Sequence, residues 1–212
     1  MLTEIVEVIQ ERWDFFLGLL LEHIQISAVA IVIAMAIGLT VGILISEYRR
    51  SSKVIMGIIN FIYTIPSISL LGFLIPLSGV GDTTAIIALT VYALLPMVRN
   101  TYTGLTNVDP LLLEAAEGMG STRLQILTKV KLPLAMPVIV SGIRNMAVMT
   151  IALSGISSFI GAGGLGVAIY RGITTNNMAL TFVGSLLIAI LAVTVDFLIG
   201  QLEKLSWRHR AG

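Results

Sequence analysis

Cysteine is absent and charge is scarce: 12% of the 212 residues are Asp, Glu, Lys or Arg, against roughly 25% in an ordinary soluble domain. Without cysteine there is no disulfide, thiolate metal ligand or thiol nucleophile. The two histidines, His23 and His209, stand at opposite ends of the chain, so no metal site is expected from them. No G-x-x-x-x-G-K-[ST] phosphate loop occurs, which excludes nucleotide hydrolysis by that route. The shortage of charge has the widest consequence. With 56% hydrophobic side chains, the chain has too few charges to cover a water-facing globule, and its natural solvent is lipid.

Uncharged runs locate the membrane spans: residues 23–46, 54–81, 83–98, 145–170 and 172–195. A spanning helix needs about 20 mostly apolar residues. Four runs qualify outright, and the short 83–98 run can borrow from the 79–82 turn or from Arg99, whose long stem can snorkel. The runs are continuously apolar rather than alternating, which argues for helices over barrel strands. The expectation is an all-α membrane protein of five transmembrane helices, over 24–45, 54–77, 82–98, 138–160 and 178–200.

Orientation follows from the basic residues. Arg49, Arg50 and Lys53, then Arg99, Arg123, Lys129 and Lys131, then Lys204, Arg208 and Arg210 belong on the cytoplasmic side, whereas Arg12 and Arg171 stand alone in segments assigned outside. Five spans with the N-terminus outside and the C-terminus cytoplasmic satisfy every loop. Residues 3–20 lack the basic start of a signal peptide and read instead as an external amphipathic helix. Thr3 is its expected N-cap, with Ile5, Ile9, Trp13, Phe16 and Leu20 as the apolar stripe. That helix is an interfacial anchor or a docking ledge for an external partner.

Apart from Asp82 at the very start of the third, only Arg144 and Asp196 are charged within the spans. Both fall roughly 6 to 9 Å from the inner ends of their helices at 1.5 Å per residue. A structural ion pair is expected, with a transport role as the alternative. No midplane carboxylate is present, which disfavours a proton- or sodium-coupled carrier. Ala30, Ala34, Gly38 and Gly42 make one face of the first span small, either for packing within the subunit or for a subunit interface. Pro66, Pro76 and Pro96 interrupt the second and third spans. Tyr63, Pro66, Ser67, Ser69 and Tyr92 are therefore candidates to line a pathway, the alternative being ordinary kinks buried in protein. GAGGLG at 161–166 fits G-x-G-x-x-G, but it ends a membrane helix rather than opening a βαβ helix. Close packing or a bend at the outer mouth is its expected use.

The segment 109–133 carries the most information. Asp109-Pro110 reads as N-cap and N1 of a short helix stopped by Gly118 and Gly120. Ser121 is the expected cap of a second amphipathic helix, with Leu124, Leu127 and Val130 on one face and its end at Pro133. A DNA-binding helix-turn-helix is disfavoured by the few basic residues and the membrane tether at both ends, so no nucleic-acid partner is expected.

Glu114, Ala115, Ala116, then Gly120, then Val130, Leu132 and Pro133 resemble the E-A-A-x3-G-x9-I-x-L-P signature of the membrane subunits of ATP-binding-cassette importers, with Val130 standing for Ile. The segments 65–77, 92–105 and 159–166 are similar to the osmoprotectant branch of that family. The resemblance implies a MetI-like permease fold in the bacterial cell membrane. It implies a chain that is not an enzyme, coupled through this hairpin to a cytosolic ATPase dimer that binds ATP and Mg. It also implies a second permease subunit, the same chain or a homologue, and an extracytoplasmic substrate-binding protein. Glu114 would supply charge contacts to the ATPase, Ala115 and Ala116 a small docking surface, and Gly120 the turn. Glu117 is a second carboxylate on the same helical face. The implied cargo is glycine betaine, carnitine or choline, with methionine or another small solute as the alternative and a secondary carrier behind it. The chain shows no aromatic box for a quaternary ammonium, which places selectivity on the separate binding protein.

Overall fold

The computed structural model describes residues 2–208 and is helical almost throughout. Helix α1 (Leu2–Glu11) is followed at once by α2 (Trp13–Glu47), α3 (Arg49–Tyr63), α4 (Ser67–Ser78) and α5 (Asp82–Thr106). The hairpin is made of α6 (Pro110–Gly118) and α7 (Arg123–Ile126). A π turn over Leu127–Lys131 leads from it into α8 (Leu132–Ser157). Helix α9 (Gly166–Thr174) and α10 (Met178–Arg208) complete the chain. Arg210, one of the residues used to orient the chain, and His209 lie outside the described residues.

Four helical stretches are long and apolar enough to cross a membrane: Trp13–Glu47, Asp82–Thr106, Arg123–Ile160 and Met178–Gln201. The expected second span, 54–77, is not one rod. Helices α3 and α4 meet at 96°, and at 15 and 12 residues neither crosses a roughly 30 Å hydrocarbon layer alone. Proline disfavours helical backbone in the residue before it and has no N–H to continue the ladder. Pro66 accordingly sits extended (φ −57°, ψ 139°) as the N-cap of α4. The last turn of α3 closes on itself, Thr64 N–H reaching Asn60 and Phe61 carbonyls and Ile65 N–H reaching Ile62. Pro76 and Pro96, expected to interrupt their spans as well, lie within continuous helices.

The expected 3–20 helix is broken at Arg12 (φ −124°, ψ 28°), and its C-terminal half belongs to α2. Thr3 lies inside α1 rather than capping it. The break turns Trp13 out of the apolar stripe, leaving it 59% exposed, while Phe16 is buried. The 82–98 segment is the first part of a helix reaching Thr106, and 178–200 the first part of one reaching Arg208. The expected outer loop 161–177 contains α9, which packs Leu165 and Ala168 against Phe16 and Leu19 of α2 and Leu180 and Val183 of α10.

Helices α2, α5 and α8 form the centre. Ala34, Ala93, Met97, Leu105, Ala135, Ile139 and Met146 make its buried cluster. Lipid offers no hydrophobic drive between helices, so close van der Waals approach must hold them. The small stripe of α2 provides it inside the chain: Ala30 and Ala34 are fully buried. A Cβ on Gly38 would lie 2.6 Å from Met97 Cγ, and one on Gly42 2.5 Å from Thr101 Cβ. Intrasubunit packing against α5 is thus the use of this face.

Candidate functional site

The hairpin is built from three local devices. Asp109 caps α6, its carboxylate accepting from Leu111 N–H at 2.9 Å, with Pro110 next. At the other end Gly120 adopts φ +79°. Gly120 N–H donates to Glu117 carbonyl and Ser121 N–H to Ala116 carbonyl, the paired bonds of a left-handed helix stop. Thr122, not Ser121, then caps α7. Its hydroxyl accepts from Gln125 N–H while the Gln125 side chain accepts from Thr122 N–H at 2.8 Å. This T-x-x-Q capping box was legible in the sequence, and Ser121 cannot form its equal because Leu124, three residues on, has no polar side chain to return the bond.

The second hairpin helix does not end at Pro133. Leu132 N–H donates to Leu127 carbonyl, five residues back. A proline ring crowds the carbonyl four residues before it in an α-helix; the wider π turn just ahead lets the chain pass Pro133 and run on as α8. The expected 138–160 span is therefore the continuation of the hairpin's own second arm.

The signature residues divide by environment. Glu114, Ala115, Glu117 and Gly120 are exposed, Ala116 is buried on the inner face of α6, and Val130, Leu132 and Pro133 are half-buried at the π turn and its exit. Only Ala115 of the two alanines presents a small surface outward. Around it stand Leu111, Met119 and Leu124 at 70%, 81% and 69% exposure.

Arg144 and Asp196 come together. The guanidinium meets the carboxylate through two parallel bonds, Nε to Oδ1 and Nη2 to Oδ2, the fork geometry that suits this pair. The pair ties α8 to α10. Both side chains are more than a third exposed, at 40% and 36%, so Arg144→Gln and Asp196→Asn should each lower the melting temperature of the detergent-solubilised protein by no more than about 2 to 4 °C, and the double variant by about as much as the worse single. A double effect equal to the sum of the singles would show that the two side chains act independently.

The expected pathway residues are partly assembled. Tyr63 and Tyr92 stack edge to face with centroids 5.7 Å apart. Tyr92 donates its phenol to Ile65 carbonyl, one of the groups freed by the bend at Pro66, and Tyr63 reaches Met149 Sδ at 3.8 Å. Ser67 and Tyr92 line a crevice with Leu71, Ala88, Leu89, Leu153 and Ser157. Its volume is about 10 Å³, room for one water at most. Ser69 is half-buried on the same helix and does not line the crevice.

At the opposite end of the spans the GAGGLG segment is held by side chains from other helices, a feature the sequence did not point to. Gly163 N–H donates to Asp82 at 2.8 Å, Gly164 N–H to Glu22 at 3.1 Å, and Leu165 N–H to His23 Nδ1 at 3.3 Å. His23 is fully buried, and its Nε2 pairs with Ile151 carbonyl at 3.0 Å. Both bonds are satisfied together by the neutral ring carrying its proton on Nε2. The glycines serve close packing: a Cβ on Gly166 would stand 2.0 Å from Gly155 carbonyl oxygen.

Comparison with known proteins adds the following. The family described as "Binding-protein-dependent transport system inner membrane component" matches residues 30–207. The carnitine transport permease protein OpuCB of Listeria monocytogenes is 39% identical over 199 residues, covering 94% of this chain and 91% of that protein. The choline transport system permease protein OpuBB of Bacillus subtilis (strain 168) is 38% identical, covering 94% and 92%. Among solved structures, an inward-facing conformation of the MetNI methionine ABC transporter aligns with a TM-score of 0.83 at 26% identity, over 90% of this chain and 95% of that one.

Proposed function

Since this chain belongs to the family of inner-membrane components of binding-protein-dependent transport systems, we propose that it carries a small quaternary-ammonium osmoprotectant, glycine betaine, carnitine or choline, into the cell. It is a multi-pass membrane subunit of an ATP-binding-cassette importer and not itself an enzyme; the ATPase is a separate partner.

In the proposed cycle, two permease subunits, identical or homologous, line one pathway. A pair of cytosolic ATPase subunits binds ATP and Mg and docks on the α6–α7 hairpins. An external binding protein delivers the solute. Closing the ATPase pair does work on the spans only if it binds one arrangement of the hairpins better than the other. The observation that carries this reading is the hairpin itself. It presents Glu114 and Ala115 with exposed Leu111, Met119 and Leu124, and its second arm is continuous with the span α8. A push on the hairpin is thereby delivered directly to a transmembrane helix. The substrate class rests on the carnitine and choline permeases that the chain resembles over nearly its whole length.

Reconstitution with the ATPase and binding protein in vesicles tests this. Uptake of labelled choline should require ATP and persist in the presence of protonophore. Unlabelled betaine, carnitine and choline should compete at least about tenfold better than methionine, about 1.4 kcal/mol in binding terms. Preferential competition by methionine would transfer the assignment to the solute named for the structural neighbour; uptake abolished by protonophore would condemn the ATP-driven reading.

A further inference from the structure

The hairpin is anchored at its base by a contact outside the coupling signature. Lys131 is the last residue of the π turn and lies between the signature positions Val130 and Leu132. Its Nζ donates to Glu47 Oε1 at 2.6 Å, and the two side chains are 18% and 31% exposed. Glu47 is the last residue of α2, the helix whose small stripe is locked against α5. The bond joins groups 84 residues apart in sequence.

An ion pair this accessible to solvent adds little to stability; what it specifies is position. Leu127 at the start of the π turn and Leu132 just after Lys131 both pack against the α2–α5–α8 core. Ahead of the turn, α6 and α7 project with most of their residues exposed, Ala116 and Ile126 being buried. Single π turns within α-helices are rare and recur at functional sites, and here the wider turn lies between the anchored span and the projecting lever.

We infer that Glu47 and Lys131 form a strut that pins the fixed end of the π turn to the first span, so that movement of the docked hairpin is transmitted to α2 and α8 together. The inference rests on the proposed coupling role of the hairpin. Lys131 and Glu47 are positioning residues in it: neither is assigned a contact with solute or nucleotide. Without the strut, the hairpin's second arm would pivot at Leu127–Lys131 and part of each ATPase stroke would be spent bending the turn.

The test compares wild type, Glu47→Gln, Lys131→Gln and the exchanged pair Glu47→Lys with Lys131→Glu, each assembled with ATPase and binding protein in vesicles. Solute taken up per ATP hydrolysed should fall about fivefold in each single variant, the low end of typical coupling energies, and the exchanged pair should regain at least half. A ratio unchanged in the singles, or an exchanged pair as poor as either single, overturns the strut. Hydrogen exchange of the amides across Leu127–Lys131, measured in the same vesicles, judges the strut without transport. Faster exchange in each single variant, reversed in the exchanged pair, is expected; unchanged exchange overturns it. Failure of wild-type uptake would count against the transport reading alone, because the exchange measurement still decides the strut.

Discussion

Gly120→Val should reduce ATP-driven uptake at least about tenfold while the protein still inserts in the membrane. Gly120 holds φ +79°, and a left-handed backbone costs an L-residue roughly 1–2 kcal/mol, with β-branched side chains worst placed. Nothing lies within 4 Å of the Cβ that would be added, so the penalty is conformational rather than steric. The stop at Ala116 and Glu117 carbonyls depends on that conformation, and so does the angle at which α7 leaves α6. About 1.4 kcal/mol against the docking-ready hairpin lowers its population tenfold. Gly120→Asn, whose side chain tolerates the left-handed region, should retain most of the activity. Uptake normalised to the amount of inserted permease checks both. Equal activity of the Val and wild-type proteins would mean that the turn conformation is not what couples hairpin to span.

The largest expected loss of stability comes from Gly166→Ala. Its Cβ would meet Gly155 carbonyl oxygen at 2.0 Å and Ser158 Oγ at 2.5 Å. The nearer group is backbone and cannot swing aside, so the end of α8 and the start of α9 must separate. Overpacking in a filled core costs roughly 1–3 kcal/mol and occasionally more, and this case belongs at the upper end. For a chain of this size roughly 3 kcal/mol corresponds to a fall of about 6 to 12 °C in melting temperature. Gly18→Ala is the control: nothing lies within 4 Å of its Cβ, and alanine gains roughly 0.5–1 kcal/mol over glycine inside a helix. Thermal unfolding in detergent should rank the three proteins Gly18→Ala at or above wild type and Gly166→Ala far below. A Gly166→Ala protein as stable as wild type would mean that the two backbones are not in contact there.

Features carried by local pattern were readable in advance. The apolar runs, the small stripe on the first span, the Asp109-Pro110 start and the spacing from Glu114 to Pro133 all depend on residues close together in the chain. Arg144 and Asp196 were also suggested, because two opposite charges stranded at similar depth in lipid have few other partners. The ends of elements were less legible. Ser121 and Thr122 are both acceptable caps by composition, and Thr122 prevails through Gln125 three residues on. Pro133 carries a strong stop signal that the π turn before it annuls. Pro66 announced a kink, but its 96° size depends on what receives the freed carbonyl, and Tyr92, 27 residues away, does so.

By itself, then, the amino-acid order determined the solvent, the helical class, the placement of the apolar segments and the spacing of the hairpin signature, because continuous apolar runs and lipid's refusal of unpaired backbone groups act within each segment. Tertiary structure alone decided how sharply α3 and α4 bend at Pro66, that GAGGLG is held by Asp82, Glu22 and His23, and that Lys131 reaches Glu47. The reason is physical: such contacts need close approach of groups far apart in the chain, and only the packed arrangement of α2, α5 and α8 brings their backbones near enough to meet.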